Sequence, residues 1–237
     1  MAARLFLIPM HLGEPDTKKM FPAVNLDIIQ DLRYYVVENA RTARRFIKST
    51  GYEGTIHDIH IFEMDKHAPD VTAEKFMKPL LEGHDMGLLS EAGVPGVADP
   101  GAILVYWAHR HQIRVVPLGG RSSILMALMA SGLNGQKFRF HGYLPVQQSL
   151  RIHALRNMEK VSMKESETQI FMETPYRNRN LLADILNTCH PGSLLCIATD
   201  ITLQTESILT QSIAAWKQNI PDIHKRPTIF LIQGHAR

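Results

Sequence analysis

Short apolar runs alternate with helical patterns from the first residues onward, and this alternation constrains the fold more than any other feature. Predicted strands of the first half are Leu5–Pro9, Tyr35–Glu38, Ile56–Met64, Met86–Ser90 and Ile113–Leu118. Predicted helices between them are Leu26–Leu32, Asn39–Ser49, Thr72–Glu82 with Thr72 as N-cap, and Pro100–His111. Strands separated by helices of this length predict a mainly parallel sheet that is covered on both faces.

The alternation is interrupted at Leu118–Ser122 (LGGRS) and then resumes. Predicted strands of the second half are Phe138–Tyr143, Thr168–Glu173, Leu194–Thr199, Glu206–Thr210 and Thr228–Ile232, with helices at Ser123–Ser131, Gln147–Lys160, Tyr176–Asn187 and Gln211–Gln218. Only one short helix separates the last two strands, which predicts a mixed sheet. A chain of 237 residues therefore divides into two α/β domains, residues 1–118 and 119–237.

Composition indicates an ordinary globular protein, with 45% hydrophobic and 21% charged residues. No apolar stretch approaches the ~18 residues that span a bilayer, and the N-terminus MAARLFLIPMHLGEP lacks a signal-length apolar segment. We therefore expect a cytoplasmic protein without a membrane partner. Cys189 and Cys196 are expected to be reduced core thiols. A formal charge of +3 permits a nucleic-acid partner without requiring one.

Several common signatures are absent from the sequence. It contains no G-x-G-x-x-G, Walker A, G-x-S-x-G or H-E-x-x-H motif. This argues against a typical dinucleotide dehydrogenase, a P-loop NTPase, an α/β-hydrolase and a zincin. The pairs His57 with His60 and His109 with His111 are poorly spaced for a shared ion and have no supporting cysteine or carboxylate cluster, so no metal is expected.

The segment SEAGVPGVADPG, residues 90–101, is the strongest candidate for a ligand loop. It follows a predicted strand, and ligands of α/β sheets bind beyond the carboxyl ends of the strands. Gly93 and Gly96 would let the backbone approach a ligand closely. Ser90–Pro95 is longer than a plain connection needs, whereas Asp99 is expected to be the N-cap of a helix that begins at Pro100.

A second loop, Gly119–Ser123, precedes a helix whose apolar positions Ile124, Leu125, Leu128 and Met129 predict a buried stripe. Free N–H groups and two hydroxyls at this helix N-terminus are suited to an anionic or polar group. Capping by Ser122 is the purely structural interpretation, and the two roles are compatible.

Positive charge follows one face of the helix that begins at Asn39. Arg41, Arg44, Arg45 and Lys48 recur at helical spacing. Such a stripe either is a solvated face or holds RNA phosphates. Tyr176, beside Arg177 and Arg179, is an aromatic among arginines, which suits an unstacked base.

The combination of SEAGVPGVADPG, IRVVPLGGRSS and MASGLNGQKFRFHGYLP, in this order, resembles the tetrapyrrole methylase superfamily of S-adenosylmethionine-dependent methyltransferases. Within it, the chain is most similar to the branch that methylates a cytidine 2′-hydroxyl in small-subunit ribosomal RNA. LFLIPMHLG, VVENARTARRFI and ETPYRNRNLLADIL extend the resemblance over most of the chain. The resemblance implies two α/β domains, S-adenosylmethionine in the cleft between them, and a homodimer.

Carried over position by position, the resemblance implies particular ligand contacts. The implied cofactor contacts are Ser90, Glu91, Ala92, Gly93, Pro95, Ser122, Ser123 and Met172. The resemblance also implies that Pro9 faces the substrate, and the charge pattern adds Arg41, Arg44, Arg45, Tyr176 and Arg177 as candidate substrate contacts. A hydroxyl nucleophile also needs a proton acceptor, and the carboxylates at predicted strand ends are Glu14, Glu38 and Glu173. Glu38 is the leading candidate, although it could equally pair with a helix-start N–H or with Arg41.

The chain departs from the rRNA branch on the substrate side. Asn39 and Ala40 replace an aspartate and a threonine, and Thr199-Asp200 replaces an arginine–glutamate pair. Arg226-Pro227 replaces a Gly-Glu pair. Two alternatives therefore stay open: a methyltransferase that acts on a tetrapyrrole, another small molecule or a protein, and a cofactor-binding protein without catalysis.

Overall fold

The computed structural model describes residues 3–13, 21–64 and 75–235. The chain divides into two compact units, Met1–Ser122 and Ser123–Arg237. The boundary predicted from the sequence, after Leu118, lies in the same connecting loop. Among the described residues, no helix is long and apolar enough to cross a membrane.

The first unit contains one parallel sheet. Its strands are β1 (Arg4–Ile8), β2 (Tyr34–Val37), β3 (His60–Glu63), β4 (Met86–Leu89) and β5 (Arg114–Pro117). Its helices are α1 (Ala23–Asp31), α2 (Ala40–Ser49), α3 (Lys78–Leu81) and α4 (Ala102–Arg110). The strand order is β3-β2-β4-β1-β5, and every pair is parallel. The predicted parallel sheet is confirmed.

Side-chain alternation along the strands buries both faces of this sheet. Leu5 and Val36 pack with Leu104 of α4 on one face. Phe6 and Tyr35 belong to the cluster on the other face, which also includes α1 and α2 residues such as Phe46. Because successive strand residues point to opposite faces, a run such as LFLI must be apolar throughout. This explains why the sequence shows continuous apolar runs rather than alternation.

The second unit contains a mixed sheet. Its strands are β6 (Phe138–Tyr143), β7 (Thr168–Met172), β8 (Leu194–Thr199), β9 (Ser207–Ser212) and β10 (Thr228–Gln233). Its helices are α5 (Ser123–Ser131), α6 (Gln148–Glu165), α7 (Asn178–Thr188) and α8 (Ile213–Gln218). In the order β6-β7-β10-β8-β9, only β6 and β7 are parallel neighbours. The predicted mixed sheet is confirmed.

Some local predictions differ from the structure. The predicted strand Ile56–Met64 begins with a 3₁₀ turn at Ile56–Asp58, and the predicted N-cap Thr72 lies outside the described residues. In α5, Leu128 is buried as predicted, but Leu125 and Met129 are 50% and 83% exposed. The buried face also comprises Ala127 and Ser131. Because α5 is apolar on all sides, periodicity could not select its inward face, and the small residues pack against the sheet.

Candidate functional site

The carboxyl ends of β1, β2, β4 and β5 lie along one edge of the first sheet. Leu89 at the end of β4 is aligned with Ile8 on one side and with Val37 on the other, and Leu7 is aligned with Pro117 of β5. The loops that follow these strands therefore meet at the same edge. Pro9, Glu38, Ser90–Pro95 and the paired glycines all lie in these loops.

The loop after β4 is fixed by its backbone. The Met10 N–H donates to the Gly93 carbonyl at 2.7 Å, which joins the loop to the residues after β1. Ser90 is buried, and its hydroxyl donates to the Ala92 carbonyl at 3.3 Å. Gly93 and Pro95 are buried, whereas Glu91 and Ala92 are exposed. The loop thus buries Ser90, Gly93 and Pro95 and exposes Glu91 and Ala92 to solvent.

Gly93 has a backbone conformation that favours glycine, with φ of +74°. Among the described residues, a Cβ atom added there would have one neighbour within 4 Å, the Cδ2 of Leu12 at 3.7 Å. The described part of the chain therefore leaves space beside this buried residue. This is the kind of site at which backbone can contact a ligand directly.

The loop after β5 packs tightly against the loop after β1. A Cβ on Gly120 would lie 2.2 Å from the Cβ of Pro9, so only glycine fits at this position. Asn25 of α1 is buried, and its side-chain amide donates to the Gly119 carbonyl at 2.7 Å. The sequence interpretation missed Asn25; an asparagine among the apolar positions of a helix was the available signal. Ser122, at the end of this loop, is buried.

Glu38 lies at the same edge, directly after β2. Its Oε1 accepts a hydrogen bond from the Glu91 N–H at 3.2 Å, which connects it to the loop after β4. Glu38 also raises the pKa of the neighbouring Asp99 carboxyl, although burial of Asp99 is the larger cause; together they bring that pKa to about 6. The structure therefore places a carboxylate beside the candidate ligand loop, where a proton acceptor would be needed.

Asp99 organises the loop rather than capping the following helix. Its Oδ1 accepts hydrogen bonds from the Gly96 and Gly101 N–H groups at 2.8 and 2.7 Å. The helix α4 begins at Ala102 with Gly101 as its N-cap, and no side chain caps it. The predicted helix start at Pro100 and the N-cap role of Asp99 are therefore wrong: the regular helix begins two residues later, and the Asp99 carboxylate instead closes the preceding turn.

The positive stripe of α2 is exposed at each of its four positions, Arg41, Arg44, Arg45 and Lys48. None of the four pairs with a carboxylate of the described residues. Asn39 is the N-cap, and its Oδ1 accepts from the Arg41 and Thr42 N–H groups. α2 follows β2, so its N-terminal turn begins beside Glu38. Glu14, the other early carboxylate considered, lies outside the described residues.

The remaining predicted site residues lie in the second unit. Ser123 is the first residue of α5, and Met172 is the half-buried last residue of β7. Tyr176 is exposed, with the ammonium of Lys225 5.8 Å from its ring centre. Arg177 pairs with the buried carboxylate of Glu173 at 2.7 Å.

Polar groups at the carboxyl ends of β7 and β8 form a connected network. Asn178 donates to the Arg226 carbonyl at 2.6 Å, and Arg226 pairs with Asp200 at 2.8 Å. Several buried atoms in this region lack a hydrogen-bond partner among the described residues: Glu173 Oε2, Arg177 Nε, Asn178 Oδ1, Thr202 Oγ1 and His224 Nδ1. Buried polar atoms without partners are uncommon, so this region differs from an ordinary core. The described residues hold no group of three or more His, Cys, Asp or Glu side chains suited to a metal ion.

Known proteins resemble this chain over most of its length. No protein-family model matches it. The ribosomal RNA small subunit methyltransferase I of Xylella fastidiosa is 28% identical over 212 residues, which are 88% of this chain and 74% of that protein. Its namesake in Pasteurella multocida is 31% identical over 74% of this chain and 62% of its own length. The protein of the same name in Pseudomonas aeruginosa is 29% identical over 98% of this chain and 79% of its own length.

A solved structure shares the fold. The crystal structure of the methyltransferase CobJ matches with a TM-score of 0.64, covering 99% of this chain and 94% of its own, at 16% sequence identity. The chain is similar to these methyltransferases over most of its length, and the resemblance noted in the sequence is thus confirmed. Its fold of two α/β sheets is confirmed as well. These similarities direct attention to the glycine-containing loops at the sheet edge of the first unit.

Proposed function

We propose that this chain is an S-adenosylmethionine-dependent methyltransferase that methylates a ribose 2′-hydroxyl of small-subunit ribosomal RNA. The observation that carries the proposal is the loop after β4, where Gly93 leaves space beside a buried backbone that Met10 holds in place. The names of the relatives support methyl transfer and an acceptor in small-subunit ribosomal RNA. We further propose that the protein acts in the cytoplasm as a homodimer.

The proposed ligand of the glycine-containing loops is S-adenosylmethionine. Ser90, Glu91, Ala92, Gly93 and Pro95 would hold it from the first loop, Ser122 and Ser123 from the second, and Met172 from the end of β7. When bound, the cofactor supplies an activated methyl group. Methyl transfer needs little covalent help, so the protein's tasks are alignment of the acceptor and exclusion of water.

Glu38 is the residue proposed to accept or share the proton of the acceptor hydroxyl. Its hydrogen bond from the Glu91 N–H fixes it beside the ligand loop, which is where general-base catalysis requires a carboxylate. Pro9, on the loop after β1, would face the acceptor. Arg41, Arg44 and Arg45 would bind phosphates of the RNA, and Tyr176 with Arg177 would contact a base.

Replacing Gly93 with leucine tests the cofactor site. Gly93→Leu fills the space beside the loop and forces a branched side chain into a conformation with φ of +74°. We expect the dissociation constant for S-adenosylmethionine, measured by calorimetry, to rise at least ~100-fold, or about 2.7 kcal/mol. Gly83→Leu is the matched control, because Gly83 has φ of +93° with nothing within 4 Å of an added Cβ.

The two variants separate loss of the site from general backbone strain. Equal thermal stability with loss of binding only in Gly93→Leu supports the proposed site. Normal binding by Gly93→Leu would show that the cofactor lies elsewhere. Transfer of a labelled methyl group to small-subunit RNA, compared with a tetrapyrrole acceptor and a protein acceptor, then identifies the acceptor class. Cofactor binding without transfer to any of them would favour the non-catalytic alternative.

A further inference from the structure

The second unit has a groove that is lined by none of the predicted site residues. It has a volume of about 560 Å³, and its lining includes Arg156, Glu159, Lys160, His190, Ser193 and His235. This volume is within the ~300–1,000 Å³ typical of small-ligand sites. We refer to it as the α6 groove, because three of these residues belong to α6.

Two glycines give the α6 groove a defined wall. A Cβ on Gly192 would lie 3.1 Å from the ring of His235, and a Cβ on Gly234 would lie 2.6 Å from the Glu159 carbonyl oxygen. On this wall, the rings of His190 and His235 are parallel to within 3°, with centres 5.5 Å apart. The imidazoles are thus held face to face.

Hydrogen bonds fix the same wall to α6. The Ser193 hydroxyl accepts from the backbone N–H of His235 at 3.2 Å and donates to Glu159 Oε1 at 2.6 Å. Glu159 Oε1 also accepts from the backbone N–H of His190 at 2.7 Å. The carboxylate is therefore occupied in joining the turn before β8 to α6.

The charges of the groove favour an anion. Arg156 and Lys160, one helical turn apart on α6, are exposed and pair with no carboxylate of the described residues. His190 Nδ1 accepts from the Gly192 N–H at 3.1 Å, so a neutral His190 ring carries its proton on Nε2 as a further donor. The two positive charges of Arg156 and Lys160 exceed the one negative charge of Glu159, whose Oε1 already accepts two hydrogen bonds.

We propose that the α6 groove binds a phosphate ester, namely a backbone phosphate of the RNA substrate. Arg156 and Lys160 would supply the charge, and the imidazole of His190 a hydrogen bond. The proposal rests on the proposed RNA function. It extends that function by assigning a further RNA contact, which is independent of the cofactor loops, of the α2 stripe and of Tyr176 with Arg177.

Filter binding of small-subunit RNA across a salt series tests the groove. The double variant Arg156→Gln/Lys160→Gln removes both cations from the full-length protein. We expect the affinity to fall ~10-fold at ~0.1 M salt, and the slope of log K against log salt to decrease in magnitude by about 1. The matched control is Arg110→Gln/Lys217→Gln, which removes one arginine and one lysine from exposed positions outside the groove.

The outcomes distinguish this proposal from the proposed function. Loss of affinity in the groove variant beyond that in the control supports it, and equal losses, or none, overturn it. Failure of the unmodified protein to bind any RNA would instead contradict the RNA function, and the groove assignment with it. Calorimetry with cytidine monophosphate separates the two sources of phosphate: binding as tight as that of RNA would overturn the assignment to the RNA backbone.

Discussion

The two sheets of this protein end differently at the carboxyl ends of their parallel-running strands. In the first unit, the loops after β4 and β5 contain glycines at their close approaches, and an added Cβ on Gly93 would have room among the described residues. In the second unit, the ends of β7 and β8 carry the ion pairs Glu173 with Arg177 and Asp200 with Arg226. At the first edge, carboxylates bind backbone N–H groups of the loops, whereas at the second edge carboxylates pair with arginine side chains.

If the first edge binds the proposed cofactor, this difference would separate ligand binding from structural support. Backbone groups are positioned by the sheet itself, so a loop that contacts a ligand through them needs small residues. A side-chain network needs mutual partners, since an unpaired buried charge costs several kcal/mol. The second unit illustrates this requirement again at Arg151 and Asp184, which pair at 2.6 Å with both side chains buried. The comparison leads to three further predictions.

Removing the charge of Asp184 should have the largest effect on stability. In Asp184→Asn the buried guanidinium of Arg151 loses its counter-charge, and we expect the free energy of unfolding to fall by about 3 to 5 kcal/mol. Urea denaturation measures this change. Asp222→Asn is the control, because Asp222 and Arg179 form an exposed pair, with side chains 73% and 59% exposed, worth at most ~1 kcal/mol. Equal effects would mean that buried ion pairs do not distinguish the second unit.

A methyl group at Gly120 should disturb the first unit. Gly120→Ala places a Cβ 2.2 Å from the Cβ of Pro9, and we expect a loss of ~1 to 3 kcal/mol because the backbone must shift. Gly119→Ala is the neighbouring control, since nothing lies within 4 Å of an added Cβ there. Comparable unfolding free energies for the two variants would contradict the tight packing of this loop.

Asp99 should give the first unit a small pH dependence. Because its pKa in the folded protein is raised from 3.8 to about 6, the folded state holds this proton more tightly than the unfolded chain does. The stabilisation is therefore present at low pH and is lost as the pH rises between about 4 and 6. Asp99→Asn keeps the Oδ1 acceptor but cannot ionise.

The stability of Asp99→Asn relative to the unmodified protein should consequently increase from pH 4 to pH 8. We expect an increase of about 1 to 2 kcal/mol, reduced from the full linkage value because Asp99 is partly exposed. Denaturation profiles of both proteins measure the difference, in which the contributions of titrating groups that do not interact with Asp99 cancel. A difference that does not change with pH would show that the carboxylate is not destabilised by its site.

The element order could be predicted from the sequence because each strand is marked by its own apolar run. The runs at Leu5, Tyr35 and Met86 predict β1, β2 and β4 nearly to the residue. The loop at Ser90–Pro95 was also identifiable, since it is too long and too rich in glycine for a simple turn. The face of α5 was not predictable, because its residues 124–130 are all apolar and give no periodic signal.

Contacts between distant residues were decided only by the tertiary structure. The bonds from Asn25 to Gly119, from Met10 to Gly93 and from the Glu91 N–H to Glu38 join segments that local patterns do not relate. His190 and His235 of the α6 groove are 45 residues apart in sequence and are likewise adjacent only in the fold. Local propensity and periodicity depend on neighbouring residues. The sequence alone therefore determined the strands, the helices and the glycine-containing loop. Which polar groups meet depends on strand order and register, and these arise only when the whole sheet forms.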